Sequence, residues 1–219
     1  MHKVNVEQGS KEWHDQRFGC VTGTRLKNAV GAKWDARKEC WKLGDEKIQD
    51  TLRFELLSER MSQNFIDDVS TKDMERGKEL EPIAIKEASK HRGIEFVNCG
   101  MLVSDWCNTL KYSPDSIYEQ NGIIIGGAEI KCPSGKKHIE YIIKDEIPKD
   151  YFWQVIGPMI LDDSVEWWDF CSFDDRNYEL PIFMKRMNKA DHIELIIEAR
   201  EHLKEFVNLV SESHLDMTF

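Results

Sequence analysis

The chain has 219 residues, 41% of them hydrophobic and 32% charged, with a formal net charge of −10 at pH 7. That is enough apolar material for one sizeable core, so a single domain spanning residues 1–219 is expected, and the supply of Trp, Phe and Ile excludes a disordered chain. An acidic balance of this size argues against a general nucleic-acid coat protein, which is basic. It leaves room for a metal-dependent enzyme, whose bound cations reverse the sign of a carboxylate-rich site.

In chain order, residues 9–30 read as two short helices bearing Trp13, Phe18, Val21, Leu26 and Val30, separated by Gly19 to Gly23, with Thr22 or Thr24 capping the second. Trp41, Ile48, Leu52, Leu56 and Leu57 recur at helical spacing and predict a helix over 39–62. Residues 64–71 read as a loop, and Met74, Leu80, Ile83, Ile85 and Ala88 predict a helix over 71–92 that stops at Gly93. The pattern then turns to strands over 94–104, 110–118 and 122–132, the last two joined by a hairpin turn at Asn121-Gly122. Pro133, Ser134 and Gly135 end that strand, and the Gly126-Gly127 step inside it points to a bulge or a close approach of another backbone. Helices are expected over 136–145 and 149–162, strands over 167–173 and 178–183, and a long amphipathic helix over 189–213. Trp167-Trp168 reads as strand core with one ring exposed. The architecture is therefore α/β, a central mixed β-sheet flanked by helices.

The chemistry concentrates in Ser113-Pro114-Asp115 and, one strand later, Glu129-Ile130-Lys131. Alternate residues of a strand share a face, so Glu129 and Lys131 project together, and a hairpin through Asn121-Gly122 brings Asp115 to the same spot. Carboxylate oxygens suit Mg2+ or Mn2+, and a neighbouring lysine can position or deprotonate an attacking water and offset phosphate charge. A bare D…E-x-K triple occurs by chance in charged chains. Here the surrounding run IIIGGAEIKCP is strongly apolar, and buried charges are costly unless paired or metal-bound.

These residues resemble a known family. Ser113-Pro114-Asp115 followed by Ala128-Glu129-Ile130-Lys131-Cys132-Pro133 is similar to the active-site stretch of the lambda-type (YqaJ-like) phage exonucleases and alkaline exonucleases, members of the PD-(D/E)xK nuclease superfamily. The resemblance extends to Glu7-Gln8-Gly9 with Trp13, Arg17, Gly19, Thr22 and Thr24, to Gly77-Lys78-Glu79-Leu80-Glu81, and to Trp153-Gln154-Val155. The last ~50 residues match only in outline.

The resemblance implies a PD-(D/E)xK restriction-endonuclease-like core and a set of residue roles. Asp115, Glu129 and the main-chain carbonyl of Ile130 would hold Mg2+, two ions per site with Mn2+ as a substitute. Lys131 would act on the attacking water with help from Glu81 and Gln154. Arg17, Thr22 and Thr24 would form a 5′-phosphate pocket, an arginine fork with hydroxyls being a good anion site. A surface salt bridge and simple helix caps are the plainer readings of those three. Met74 stands where an apolar residue splits the DNA end, although a helical Met is more often core. Lys136 or Lys137 would touch the DNA backbone, or else form a solvated helix start. The implied activity is 5′→3′ exonuclease digestion of the 5′ strand of linear duplex DNA to mononucleotides, leaving 3′ overhangs. The implied partners are a single-strand annealing protein and two further copies in a trimeric ring, whose channel would let an acidic chain handle DNA.

The alternatives are a same-fold restriction or repair endonuclease and a non-catalytic DNA-end or recombination-partner binding module. No H-x-x-x-H, G-x-x-x-x-G-K-[ST] or G-x-S-x-G occurs, which argues against a zinc protease, an ATPase and a serine hydrolase. The cysteines form no C-x-x-C pair and read as reduced thiols. With no run of ~18 apolar residues and no apolar signal at the N-terminus, a cytoplasmic protein of a bacterial host, phage- or prophage-encoded, is expected, with no membrane contact.

Overall fold

The computed structural model describes residues 1–62 and 72–218, the side chains of 72–74 excepted. The elements are β1 (His2–Val4), α1 (Lys11–Arg17), a 3-10 turn (Gly23–Arg25), α2 (Leu26–Ala29), β2 (Lys33–Asp35), β3 (Cys40–Lys42) and α3 (Glu46–Ser62). They continue with α4 (Lys72–Arg92), β4 (Met101–Ser104), β5 (Cys107–Tyr112), β6 (Ser116–Gln120), β7 (Ile123–Lys131), α5 (Gly135–Lys144), α6 (Phe152–Leu161), β8 (Trp167–Phe173), β9 (Ile182–Asn188) and α7 (Ile193–Thr218). They gather into two compact units: Met1–Ile66 with Gly100–Ser113 and His192–Phe219, and Asp67–Cys99 with Pro114–Asp191. Among the described residues no helix is long and apolar enough to cross a membrane.

The first unit holds an antiparallel sheet in the order β1-β4-β5, the β2-β3 hairpin, and α1, α2, α3 and α7. Leu52 and Leu56 of α3 are fully buried, as are Leu203 and Phe206 of α7, so each long helix turns an apolar face to the core. The helix expected from residue 39 begins only at Glu46. Trp41 lies across from Trp34 in the hairpin, with ring centroids 5.3 Å apart at 73°. Its apolar weight serves this cross-strand pair rather than a helical stripe. Gly44, at φ +78, makes the turn into α3.

The second unit is a mixed sheet, β6-β7-β8-β9, in which β7 and β8 run parallel and the other pairs antiparallel. Asn121 and Gly122 both take positive φ, 52° and 78°, as a tight hairpin between β6 and β7 requires. The single strand expected over 110–118 is instead β5 and β6, broken at Ser113-Pro114-Asp115, where proline has no N–H for a ladder. The strand expected over 94–104 starts at Met101, and Val97 makes only an isolated bridge to Ile117. The strand expected from Tyr178 starts at Ile182, and Tyr178 lies exposed in the bend before it. The expected loop at 64–71 lies outside the described residues.

On one face of this sheet, Ala128 and Ile130 of β7 and Trp167, Cys171 and Phe173 of β8 pack on Leu80, Ala84, Ile85 and Ala88 of α4. On the other face Phe170 meets Tyr141 of α5 edge-on at 5.5 Å and stacks on Tyr151 at 5.4 Å. Asp169, fully buried on β8, accepts paired hydrogen bonds from Arg92 at the end of α4 (2.7 and 2.9 Å) and from Arg186 of β9 (2.9 and 3.1 Å). One carboxylate thus ties helix, centre strand and edge strand together.

Both Trp167 and Trp168 are buried, which corrects the expectation of one exposed ring. Their positions explain the glycine pair. A Cβ on Gly126 would stand 2.3 Å from the Trp167 ring, and one on Gly127 would stand 2.3 Å from the Trp168 ring and 2.6 Å from the Ser116 carbonyl oxygen. The close approach is mainly by indole rings, and the β6–β7 register also shifts beside Gly126. Gly127→Ala is therefore expected to lose about 2 kcal/mol or more in denaturant unfolding, the usual scale for overpacking a rigid core. An unchanged midpoint would show that the ring can give way.

Candidate active site

β7 carries the centre of the site. Its alternation sends Ala128 and Ile130 to the α4 face and Glu129 and Lys131 to the other. Lys131 Nζ donates to Glu129 Oε1 at 2.5 Å and lies 5.3 Å from the centroid of the Tyr151 ring. Asp115, in the break before β6, accepts the Ile130 N–H on Oδ2 at 2.5 Å. That bond locks the aspartate to the strand holding its two partners. Glu81 of α4, Asp115, Ile130 and Lys131 line a cavity of about 390 Å³ together with Lys78, Cys132 and Tyr151. Glu129 is buried and reaches the group through Lys131. Gln154 is half-buried on α6, three residues beyond Tyr151.

The charges of these groups act on one another. Burial, and then the charge of Glu129, hold the Asp115 carboxyl well above its usual range, only partly offset by Lys131. Burial likewise raises Glu81, against the pull of Lys131. Lys131 is opposed by its own burial, yet Glu129 and Asp115 keep it a firmly charged ammonium. A buried carboxyl raised by a neighbouring buried carboxylate makes a site that a cation relieves. Among the described residues no three Asp, Glu, His or Cys side chains converge as a ready metal cage. The available set is two carboxylates with main-chain oxygen and room for water, which fits Mg2+ or Mn2+ better than zinc.

The turn after Lys131 is held from two sides. Arg76 Nη1 donates to the Cys132 carbonyl at 3.1 Å, and Arg176 Nη2 to the Pro133 carbonyl at 3.2 Å. Both arginines also bond the buried Asp174, at 3.1 and 2.7 Å. Sequence reasoning missed Arg76, Arg176, Lys78 and Tyr151. Lys78 lay in a quoted motif without a role, and the other three act across long sequence separations that no local pattern encodes.

The expected anion pocket lies in the first unit. Arg17 sits at the end of α1 with its guanidinium carbon 4.1 Å from the centroid of the Trp13 ring. Arg17 Nη1 donates to Ser113 Oγ at 3.2 Å, and Trp13 Nε1 donates to the same oxygen at 2.9 Å. Thr22 and Thr24 face each other, hydroxyl to hydroxyl, at 3.3 Å. Thr22 precedes the 3-10 turn and Arg25 precedes α2, and neither makes a side-chain cap bond, so the capping expected of Thr22 or Thr24 is not observed. Val21 bridges Leu110 in parallel, its N–H donating to the Thr109 carbonyl at 2.8 Å and its carbonyl accepting the Lys111 N–H at 2.9 Å, and Gly23 lies against the Tyr112 ring. These contacts draw the threonines beside the end of β5, where Ser113 follows. Ser113 was legible only as the start of its motif; its hydroxyl is a further candidate for the pocket.

Lys136 and Lys137 open α5. Lys137 pairs with Glu140 at 3.0 Å, which makes exposed Lys136 the better candidate for a backbone contact. The Met74 side chain lies outside the described residues.

The loop bearing these threonines is gripped by Glu59 of α3, which accepts the Gly19 N–H at 2.8 Å and pairs with Arg25. Burial raises the Glu59 carboxyl, but the Arg25 and Gly19 bonds outweigh it and leave it below the usual range. A carboxylate with a depressed folded-state pKa adds stability above its unfolded value, and that stability is lost as pH falls through the folded value. Glu59→Gln is thus expected to cost about 1–2 kcal/mol at neutral pH. The gap from wild type should shrink as pH drops below about 4.3. Chemical denaturation of both proteins across pH 3 to 7 measures it.

Residues 12–163 match the model of the YqaJ-like viral recombinase domain. Among curated proteins none matches the chain. Among solved structures, the crystal structure of an alkaline exonuclease (LHK-Exo) from Laribacter hongkongensis is 24% identical, covering 95% of this chain and 96% of that one, with a TM-score of 0.76. The same exonuclease in complex with dAMP gives 24% identity, coverage of 95% and 98%, and a TM-score of 0.70. A phage related exonuclease from Haemophilus somnus 129PT gives 17% identity, coverage of 89% and 96%, and a TM-score of 0.56. With 152 of its residues in that one domain (163 − 12 + 1), the chain belongs to the YqaJ-like viral recombinase family and has the fold of the alkaline exonucleases.

Proposed function

We infer that this chain, whose family supports a nuclease role, is a Mg2+-dependent 5′→3′ exonuclease that degrades the 5′ strand of linear duplex DNA and leaves 3′ single-stranded overhangs. The observation that carries this reading is the cluster of buried Asp115 and Glu129 around charged Lys131 at an open cavity lined also by Glu81. Asp115, Glu129 and the Ile130 carbonyl would hold the metal. When bound, it would lower the pKa of a water and neutralise charge on the phosphate. Lys131, held as an ammonium, orients the water and offsets charge on the phosphoryl oxygens. Glu81, whose carboxyl burial favours the neutral form, can hold a proton beside it. Gln154 would help position the water. Arg17, Thr22 and Thr24, joined by Ser113, would bind the 5′-phosphate, and Lys136 the DNA backbone.

A net charge of −10 requires that DNA be held by local basic groups or by assembly, and a homotrimeric ring with a basic channel meets that need. A single-strand annealing protein is the proposed partner for the overhang, and the cytoplasm of a bacterial host carrying the phage or prophage is the proposed location.

The test incubates purified protein and Mg2+ with linear 5′-phosphorylated, linear 5′-hydroxyl and closed circular duplexes. The first is expected to be degraded fastest and the circle to survive. Cleavage of the circle would instead identify an endonuclease, and binding without any cleavage a DNA-end binding module.

A further inference from the structure

The loop that carries both threonines of the anion pocket is fixed by two consecutive residues of α3. Glu59 Oε2 accepts the Gly19 N–H at 2.8 Å and Arg25 Nη1 at 3.0 Å, while its Oε1 accepts Arg25 Nη2. Arg60 Nε donates to the Gly19 carbonyl at 3.0 Å, and Arg25 Nη1 also reaches the Cys20 carbonyl at 3.2 Å. Amide and carbonyl of one residue are therefore both held from the same helix. Arg25, next in sequence to Thr24, is tied to the same carboxylate. Gly19 has φ +62, and a Cβ there would stand 2.6 Å from Arg60 Cγ, so the loop is pressed directly on α3. Glu59 is only 12% exposed at its side chain, and both its oxygens accept hydrogen bonds from this loop. Gly19 lies two residues after Arg17 and three before Thr22, at the point where any slack in the loop would separate the arginine from the hydroxyls.

We propose that Glu59 is a positioning residue for recognition of the 5′ end: by clamping Gly19 and Arg25 to α3, it sets the alignment of Arg17, Thr22 and Thr24 and so the preference for 5′-phosphoryl over 5′-hydroxyl DNA. The proposal rests on the phosphate-pocket reading above. Glu59 touches no substrate in this scheme. Arg25 neutralises its charge, so an acid close to an anion pocket does not repel the incoming phosphate. A pocket aligned before binding spends none of the binding free energy on ordering its loop, and the benefit falls on the ligand that the pocket fits.

The test measures kcat/KM on linear duplexes differing only in a 5′-phosphate or 5′-hydroxyl, for wild type, Glu59→Leu and Glu59→Gln. Glu59→Leu is expected to lower the phosphoryl-to-hydroxyl ratio at least fivefold, chiefly through a raised KM on phosphorylated ends. Glu59→Gln, whose amide oxygen still accepts the Gly19 N–H, should keep a ratio nearer wild type. A variant that is merely less folded loses rate on both substrates in proportion. An unchanged ratio in Glu59→Leu therefore overturns the clamp. A wild-type enzyme without any preference for phosphorylated ends would overturn the pocket reading itself, a different outcome from the first.

Discussion

Asp115→Asn is expected to lower the release of nucleotides from linear duplex DNA by about 10³-fold, because the several kcal/mol that a bound metal contributes to phosphoryl transfer require a charged ligand at this position. Asparagine is the informative replacement. Its side-chain oxygen can still accept the Ile130 N–H that Asp115 accepts at 2.5 Å, so the local strand geometry is kept. Burial and the neighbouring Glu129 already disfavour the ionised aspartate. Removing that charge should therefore leave the melting temperature equal or raise it when no metal is present. Lost activity in a protein at least as stable as wild type would separate a catalytic role from a structural one. A parallel loss of stability would count against the charge argument.

The largest expected effect on stability lies away from the chemistry. Asp169→Leu leaves the Arg92 and Arg186 guanidinium groups without the carboxylate that each meets in a paired contact. Breaking a buried ion network from one side typically costs 3–5 kcal/mol. The arginine side chains are 25% and 32% exposed and can partly rehydrate, so a loss of about 3 kcal/mol is expected, the low end of that range. Arg186 also keeps its place 3.6 Å above the Trp167 ring. Denaturant unfolding of the variant measures the cost, and a loss under about 1 kcal/mol would mean that the network is replaceable by packing. Because α4 carries both Arg92 and Glu81, activity should fall in this variant even where it remains folded.

The parts of this fold that were legible in the sequence were those with a strong local period or a turn with special dihedrals. The run Trp167–Phe173 is β8 as expected, and Asn121-Gly122 marks the β6–β7 hairpin because few other pairs accept two positive φ values. The proposed catalytic cluster was legible because strand alternation places Glu129 and Lys131 together regardless of what surrounds them. What failed was governed by distant partners. Trp41 fits a helical spacing because its cross-strand partner, Trp34, is invisible to a helical window. Val97 and Tyr178 have strand character, yet Val97 meets β6 at a single bridge and Tyr178 lies before β9 begins. The arginines that hold the Cys132–Pro133 turn and the carboxylate that holds Gly19 come from 40 to 56 residues away, and no motif spacing announces them.

Binding of Mn2+, a paramagnetic stand-in for Mg2+, to wild type, Asp115→Asn and Glu129→Gln is the most direct measurement, followed by electron paramagnetic resonance. Either substitution should weaken Mn2+ binding by about tenfold or more, the scale on which altered coordination shells act, while Glu59→Gln leaves it unchanged. Equal Mn2+ affinity in all the proteins would show that Asp115 and Glu129 do not share a cation, and the hydrolytic centre would have to be sought elsewhere.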